Sequence, residues 1–185
     1  MCWSSHSLAF DADEIKNFEI IFEVFYFYIR KNKNKIVFSD EINPFYREVV
    51  NQYLHAHAVE TVNIKINTKG QTDLNEIRKS IDDQVAAIVV QSPNALGIIE
   101  DIKEIASLKG GALLIHCANP LSFGLYETAG VLGVDIVVGD SQPFGIPLQF
   151  GGPYAGYMAT RMAFVRQLPG RIIGETVDAV GKRGY

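Results

Sequence analysis

Few residues in this 185-residue chain have types and spacing suited to chemistry, and its histidines and cysteines come first. His55 and His57 are two apart, so on a helix they point to different faces. His116 and Cys117 are adjacent, and a strand running through them sends them to opposite sides. Neither an E-x-x-H nor a C-x-x-C spacing occurs, so these residues are expected to be structural and no metal centre is expected. The sequence also lacks a G-x-G-x-x-G turn after a strand and a G-x-x-x-x-G-K-[ST] phosphate loop. A G-x-S-x-G nucleophile elbow is absent as well. Hydride transfer on a dinucleotide fold and phosphoryl transfer are therefore not expected.

One stretch is more informative. Gly139-Asp-Ser-Gln-Pro-Phe-Gly-Ile-Pro-Leu-Gln-Phe-Gly-Gly-Pro153 holds four glycines and three prolines in fifteen residues and directly follows an apolar run. Prolines fix such a backbone, and glycines let a ligand or another chain approach closely. An ordinary surface loop and a functional loop both fit these residues, although long irregular loops in compact domains are usually functional.

The elements that must position these residues follow from periodicity. Lys35–Phe38 reads as a short strand, after which Asn43-Pro44 supplies a helix N-cap and a proline at the first helical position. Tyr46, Val49, Val50, Tyr53 and Leu54 continue at helical spacing. Val59–Ile66 alternates at period two, as a half-buried strand does, and Lys69-Gly70 makes a turn. Asp73-Leu-Asn-Glu76 resembles a capping box opening a helix through Leu74, Ile77 and Ile81. Val85–Val90 is an unbroken apolar run, expected of a parallel strand covered on both faces, and Ser92-Pro93-Asn94 breaks it. Glu100–Leu108 reads as a helix stopped by Gly110-Gly111. Ala112–Ile115, Val134–Val138 and Tyr157–Thr160 read as strands, and Arg161–Leu168 as a short helix.

Strands alternating with helices give an α/β fold with a mainly parallel sheet and helices on both faces. Ligands in such folds sit beyond the C-terminal strand ends. Three loops are thus expected to converge there: Gln91–Gly97, His116–Gly124 and Gly139–Gly152.

Composition sets the outer bounds. The chain is 48% hydrophobic and 21% charged with net charge −4, which fits one globular domain and argues against a polyanion partner such as nucleic acid. Two cysteines make no disulfide framework, no apolar run is long enough to span a membrane, and no secretory signal is recognisable, so a cytoplasmic location is expected. Eight of the 20 aromatic residues lie in the first 28 positions. Phe18–Ile29 among them suits a buried helix or an interface segment, and Arg30–Lys35 a solvated basic loop.

Several ordered motifs carry a resemblance. They are Gln91-Ser-Pro-Asn94 with Gly97-Ile-Ile-Glu-Asp101, then Asn119-Pro-Leu-Ser-Phe-Gly124, then the Gly139–Pro153 loop, then Phe164-Val-Arg-Gln-Leu-Pro-Gly-Arg-Ile-Ile-Gly-Glu-Thr-Val-Asp178. Together they resemble the glycine decarboxylase P-protein and, more narrowly, its subunit 1 in organisms that divide it into two chains. The resemblance runs from about Lys35 to Tyr185. It implies the large domain of fold type I, aspartate-aminotransferase-like pyridoxal-phosphate enzymes. It also implies glycine dehydrogenase (decarboxylating, aminomethyl-transferring) activity in the glycine cleavage system. There glycine forms a Schiff base with pyridoxal phosphate, loses CO2, and passes an aminomethyl group to the lipoyl carrier (H) protein, with the cofactor as electron sink.

That chemistry needs a lysine and an acid beneath the pyridine nitrogen. In the family's cofactor-bearing subunit the lysine lies eleven residues before the proline of the Gly-Gly-Pro element, a count that lands on Gln142 here. An amide forms no Schiff base. The family's Asp, in an Asp-Pro-Leu-Ser pattern, is here Asn119. The resemblance thus implies a chain with no catalytic residue and no covalent cofactor of its own. Pyridoxal phosphate is expected on a lysine-bearing subunit 2, within a hetero-oligomer. Asn119 and Gln142 take the cofactor-equivalent positions, while Pro93-Asn94 and Gly151-Gly152-Pro153 shape the mouth. Arg166 and Arg171 are either binders of a carboxylate or acidic patch, or simple surface arginines.

Two alternatives stand beside this one. The chain could be a non-catalytic interaction fragment of the assembly, or an autonomous enzyme using Lys103 or Lys109, which the predicted helix holds away from the loops. A full subunit 1 is longer on both sides. The expected organisation is therefore an atypical aromatic-rich segment (1–34), a partial large α/β domain (35–168) and a tail (169–185).

Overall fold

The computed structural model describes residues 33–147, 156–167 and 174–184. The aromatic Phe18–Ile29 segment, Gly151, Gly152, Pro153 and Arg171 lie outside the described residues. A six-stranded sheet forms the framework. Its strands are β1 (Lys35–Ser39), β2 (Glu60–Ile64), β3 (Val85–Ser92), β4 (Leu113–Ala118), β5 (Ile136–Asp140) and β6 (Gly156–Thr160), in the spatial order β2-β1-β3-β4-β5-β6. All neighbours pair in parallel except β5 and β6. The expected parallel, doubly covered sheet is the one found. A two-stranded antiparallel ribbon, β7 (Thr176–Val177) with β8 (Arg183–Gly184), stands apart from it in the pairing.

Alternation along the strands divides the core into two layers. Ile36, Phe38, Val89, Ile115, Cys117 and Val138 face one side, where helix α1 (Pro44–Ala56) contributes Val50 and Leu54. Val37, Ile88, Val90, Leu114 and Val137 face the other, against Ile77 of α2 (Leu74–Ser80) and Ile102 and Ile105 of α3 (Ile102–Leu108). Each fully buried aliphatic side chain is worth roughly 1.5–3 kcal/mol, so two filled layers supply most of the drive to this arrangement.

The local signals act as their chemistry dictates. The Asn43 carboxamide accepts from the Phe45 N–H at 3.0 Å and caps α1 with Pro44 in its first turn. Asp73 caps α2 through the Asn75 N–H at 2.8 Å. The expected capping box does not close: the Asp73 N–H donates to the Lys65 carbonyl, and Glu76 accepts from the Lys65 N–H instead. The strand expected over Val59–Ile66 ends at Ile64, because Ile66 turns back to bridge Thr72 around the Gly70 turn, where φ is +75°. Strands β3 and β4 run further than their apolar cores, to Ser92 and Ala118, because ladder pairing continues through Gln91↔Cys117 and Ser92↔Ala118. After β6 the chain forms a 3-10 segment, Met162–Gln167, rather than an α-helix.

Candidate functional site

Parallel pairing brings the ends of β3, β4 and β5 to one edge. Ser92 stands opposite Ala118, and Cys117 opposite Val138. The three loops expected to converge do leave the sheet there. The 3-10 turn Pro120–Gly124 after β4 adjoins the 3-10 turn Gln142–Phe144 after β5. Behind them, the Tyr157 hydroxyl on β6 donates to the Ala118 carbonyl at 2.8 Å. Burial, with the charges of Cys117 and Asp140 nearby, pushes the Tyr157 phenol well above its ordinary range. Gly139 is required at this crossing. A Cβ there would stand 2.2 Å from the Ala118 oxygen and 2.6 Å from the Tyr157 ring.

Asn119 and Gln142 open these two turns. Asn119 is exposed, and its side-chain oxygen accepts from the Leu121 N–H at 3.0 Å, fixing the turn that Pro120 begins. Ser122 donates its hydroxyl to the Asn119 carbonyl at 2.6 Å. Gln142 is half-buried, with its N–H on Asp140 Oδ1 at 2.5 Å. The structure thus brings Asn119 and Gln142 onto adjoining turns.

Asn94 sits differently. It is buried, and its carboxamide is taken up within the chain. The amide nitrogen donates to the Gly70 carbonyl and to Glu100 Oε1, both at 2.9 Å. Its oxygen accepts from the Leu96 and Ile98 N–H groups at 3.1 and 3.0 Å. Glu100, expected as the first residue of a helix, instead joins this buried network, with Oε2 accepting from Thr72 N–H at 2.9 Å. The helix begins after the Asp101 cap. Nothing in the local pattern announced Glu100, because its partners lie six and 28 residues away in sequence.

Other expected residues fall elsewhere. Arg166 is exposed in the 3-10 segment after β6, at the opposite edge of the sheet from the converging loops. Lys103 lies on α3, and Lys109 caps that helix and pairs with Asp135, which also accepts from the Leu114 N–H at 2.9 Å. His116 and Cys117 face opposite layers, as adjacent strand residues must. Among the described residues no group of three His, Cys, Asp or Glu is placed to hold a metal ion, and no helix is long and apolar enough to cross a membrane.

The implied cofactor can be tested against these residues. A Schiff base needs a lysine at the strand-end loops, and the sequence has no lysine anywhere between Lys109 and Lys182. A pyridinium needs an anion beneath it, and at the position where the resemblance expects that anion Asn119 has a neutral amide whose oxygen is committed to Leu121. The residues present do not fit a complete pyridoxal-phosphate site on this chain.

With this geometry in place, comparison with known proteins is direct. The family model for the glycine cleavage system P-protein matches residues 21–185. A probable glycine dehydrogenase (decarboxylating) subunit 1 from Protochlamydia amoebophila is 48% identical over 157 residues, covering 84% of this chain and 35% of the relative. The corresponding protein of Citrifermentans bemidjiense is 46% identical over 155 residues, covering 83% and 35%. The chain therefore spans about a third of the length of these curated relatives. Among solved structures, an inhibitor-bound glycine decarboxylase (P-protein) of the glycine cleavage system superposes with a TM-score of 0.83 at 38% identity, covering 94% of this chain and 39% of that one. A sphingosine-1-phosphate lyase from Burkholderia pseudomallei, at 16% identity and TM-score 0.66 over 98% of this chain and 44% of its own, shares the fold alone. The fold is the large-domain α/β fold of fold type I enzymes.

Proposed function

The chain belongs to the glycine cleavage system P-protein family, and from that premise we propose that it serves as subunit 1 of a two-chain glycine dehydrogenase (decarboxylating). In this role it supports the pyridoxal-phosphate-dependent decarboxylation of glycine and aminomethyl transfer to the lipoyl carrier protein without bearing the cofactor. A lysine-bearing subunit 2 holds the pyridoxal phosphate, and the hetero-oligomer works in the cytoplasm. Residues 35–168 act as the large-domain part of this subunit.

The observation that carries the proposal is the absence of any lysine between Lys109 and Lys182, together with a neutral Asn119 at the strand end. This chain's own residues form a rim. Asn119 holds the Pro120–Gly124 turn by its cap, and Gln142 sits on the adjoining turn tied to Asp140. Asn94 holds the loop after β3 rigid from within. The resemblance assigns Gly151 and Gly152, outside the described residues, to the same site. Such a rim contributes shape and water exclusion to a site whose covalent chemistry lies on the partner.

Borohydride reduction of the assembled enzyme, followed by peptide mapping, tests the division of labour. The expected result is a cofactor-modified lysine on subunit 2 and none on this chain. A stoichiometric adduct on Lys103, Lys109 or any other lysine here would overturn it.

A further inference from the structure

On and just after the adjoining turns Pro120–Gly124 and Gln142–Phe144, large apolar side chains stand in solvent rather than in the core. Leu125 is 85% exposed and Phe144 66%, with Leu121 and Tyr126 half exposed. Single apolar residues scattered over a surface are ordinary, whereas several gathered at one edge mark an interaction site. Beside them a cavity of about 250 Å³ lies between the loops after β3 and β4. Ile99, Ile102, Phe123 and Leu132 give it an apolar lining, and Tyr126 belongs both to that lining and to the exposed group. An apolar cavity of about 150 Å³ already admits benzene, so this one has room for a large apolar side chain of another protein. Charge at this edge is mostly negative. Neither Lys nor Arg occurs between Lys109 and Arg161. Asp101 and Glu127 are exposed at the cavity, where Lys103 is the one cation of the lining, and Asp140 stands half-buried at the end of β5. Glu100 is already committed to Asn94 and Thr72.

We propose that this edge is the docking surface for the lysine-bearing subunit 2, which meets it with apolar side chains rimmed by Lys or Arg and places one of the apolar groups in the cavity. The choice of occupant rests on the proposed function. A lysine that serves a site rimmed by Asn119 and Gln142 reaches it only if its own chain contacts these turns. Charge complementarity selects the same partner chemistry, because an acidic, cation-poor edge attracts a basic face and repels an acidic one. Apolar contacts at the middle of an interface supply most of the affinity once water is excluded, and rim charges mainly steer the encounter. Leu125 and Phe144, the most exposed of the four, are the contacts, and Glu127 is the steering charge.

Association of the full chain with subunit 2, followed by surface plasmon resonance, tests the surface. Leu125→Asp and Phe144→Asp should each weaken binding about tenfold or more. Met162→Asp, similarly exposed after β6 at the opposite edge of the sheet, should stay within about twofold. Glu127→Lys should slow association at low salt, with the difference shrinking at high salt. These side chains are exposed, so the thermal midpoint of each variant alone should match that of the natural chain, which separates lost binding from lost folding. Natural affinity in both Leu125→Asp and Phe144→Asp would overturn the docking surface and leave the subunit 1 role standing, as would an equal loss in Met162→Asp. Lost self-association in these variants, with subunit 2 binding intact, would give the edge to a second copy of this chain and overturn the occupant. No binding of subunit 2 by the natural chain would overturn the surface and the subunit 1 role together.

Discussion

His116 and Cys117 are sequence neighbours with opposite surroundings, and each answers pH in a defined direction. Burial lowers His116 to about 4, partly opposed by its hydrogen bond to Ser92. The unfolded ring titrates near 6.5, so between those values the unfolded chain binds more protons than the folded one. Stability from this residue is complete above about pH 6.5 and falls as pH drops toward 4, at no more than about 1.4 kcal/mol per pH unit. Urea midpoints measured across that window should fall more steeply for the natural chain than for His116→Gln. Equal slopes would show that the ring is not held neutral. Burial alone pushes the Cys117 thiol up to about 12. It should therefore resist iodoacetamide at pH 8 in the folded chain and label fully in denaturant, as mass spectrometry of its peptide would report. Asn94 makes a third case. Replacing it with Ala strips partners from the Leu96 and Ile98 N–H groups and from Glu100, and should cost about 1–3 kcal/mol in urea unfolding.

At the scale of elements, the crossing of β5, β6 and the end of β4 depends on one missing methyl group. Gly139→Ala forces a Cβ into the Ala118 carbonyl and the Tyr157 ring, and should destabilise by about 1–3 kcal/mol or more. Gly124→Ala, which meets open space, should stay within about 0.5 kcal/mol. Thermal unfolding of the pair checks the claim, and equal midpoints would contradict it. The strands were legible because Val85–Val90 and Ala112–Ile115 are apolar on both faces, a pattern few exposed elements show. The N-caps at Asn43 and Asp73 were legible for the same local reason: the capping oxygen and its N–H lie two residues apart. What escaped was long-range. Glu100 reads as helical from its neighbours, yet Thr72 and Asn94 draw it out of the helix into a buried network. The strand ends at Ser92 and Ala118 were set by pairing with each other, which neither segment announces alone. The cavity beside His116 likewise needs two loops that only the fold brings together.

At the scale of the molecule, the sheet is complete enough to gather three loops at one edge, and the residues there lack the lysine that the family's chemistry requires. The proposed cofactor-equivalent positions of Asn119 and Gln142 rest on the motifs around them. Their adjacency follows from the convergence of the loops after β4 and β5, which the alternation of strands and helices already implied, and the β4–β5 pairing realises it. The central proposal is that this chain, which lacks that lysine, acts through a lysine-bearing partner. Glycine-dependent exchange of labelled CO2 tests it most directly, using a lysine-bearing subunit 2 and lipoyl carrier protein with and without this chain. Exchange should rise on adding the chain. Exchange that is unchanged, with the two chains shown to be associated, would contradict the claim.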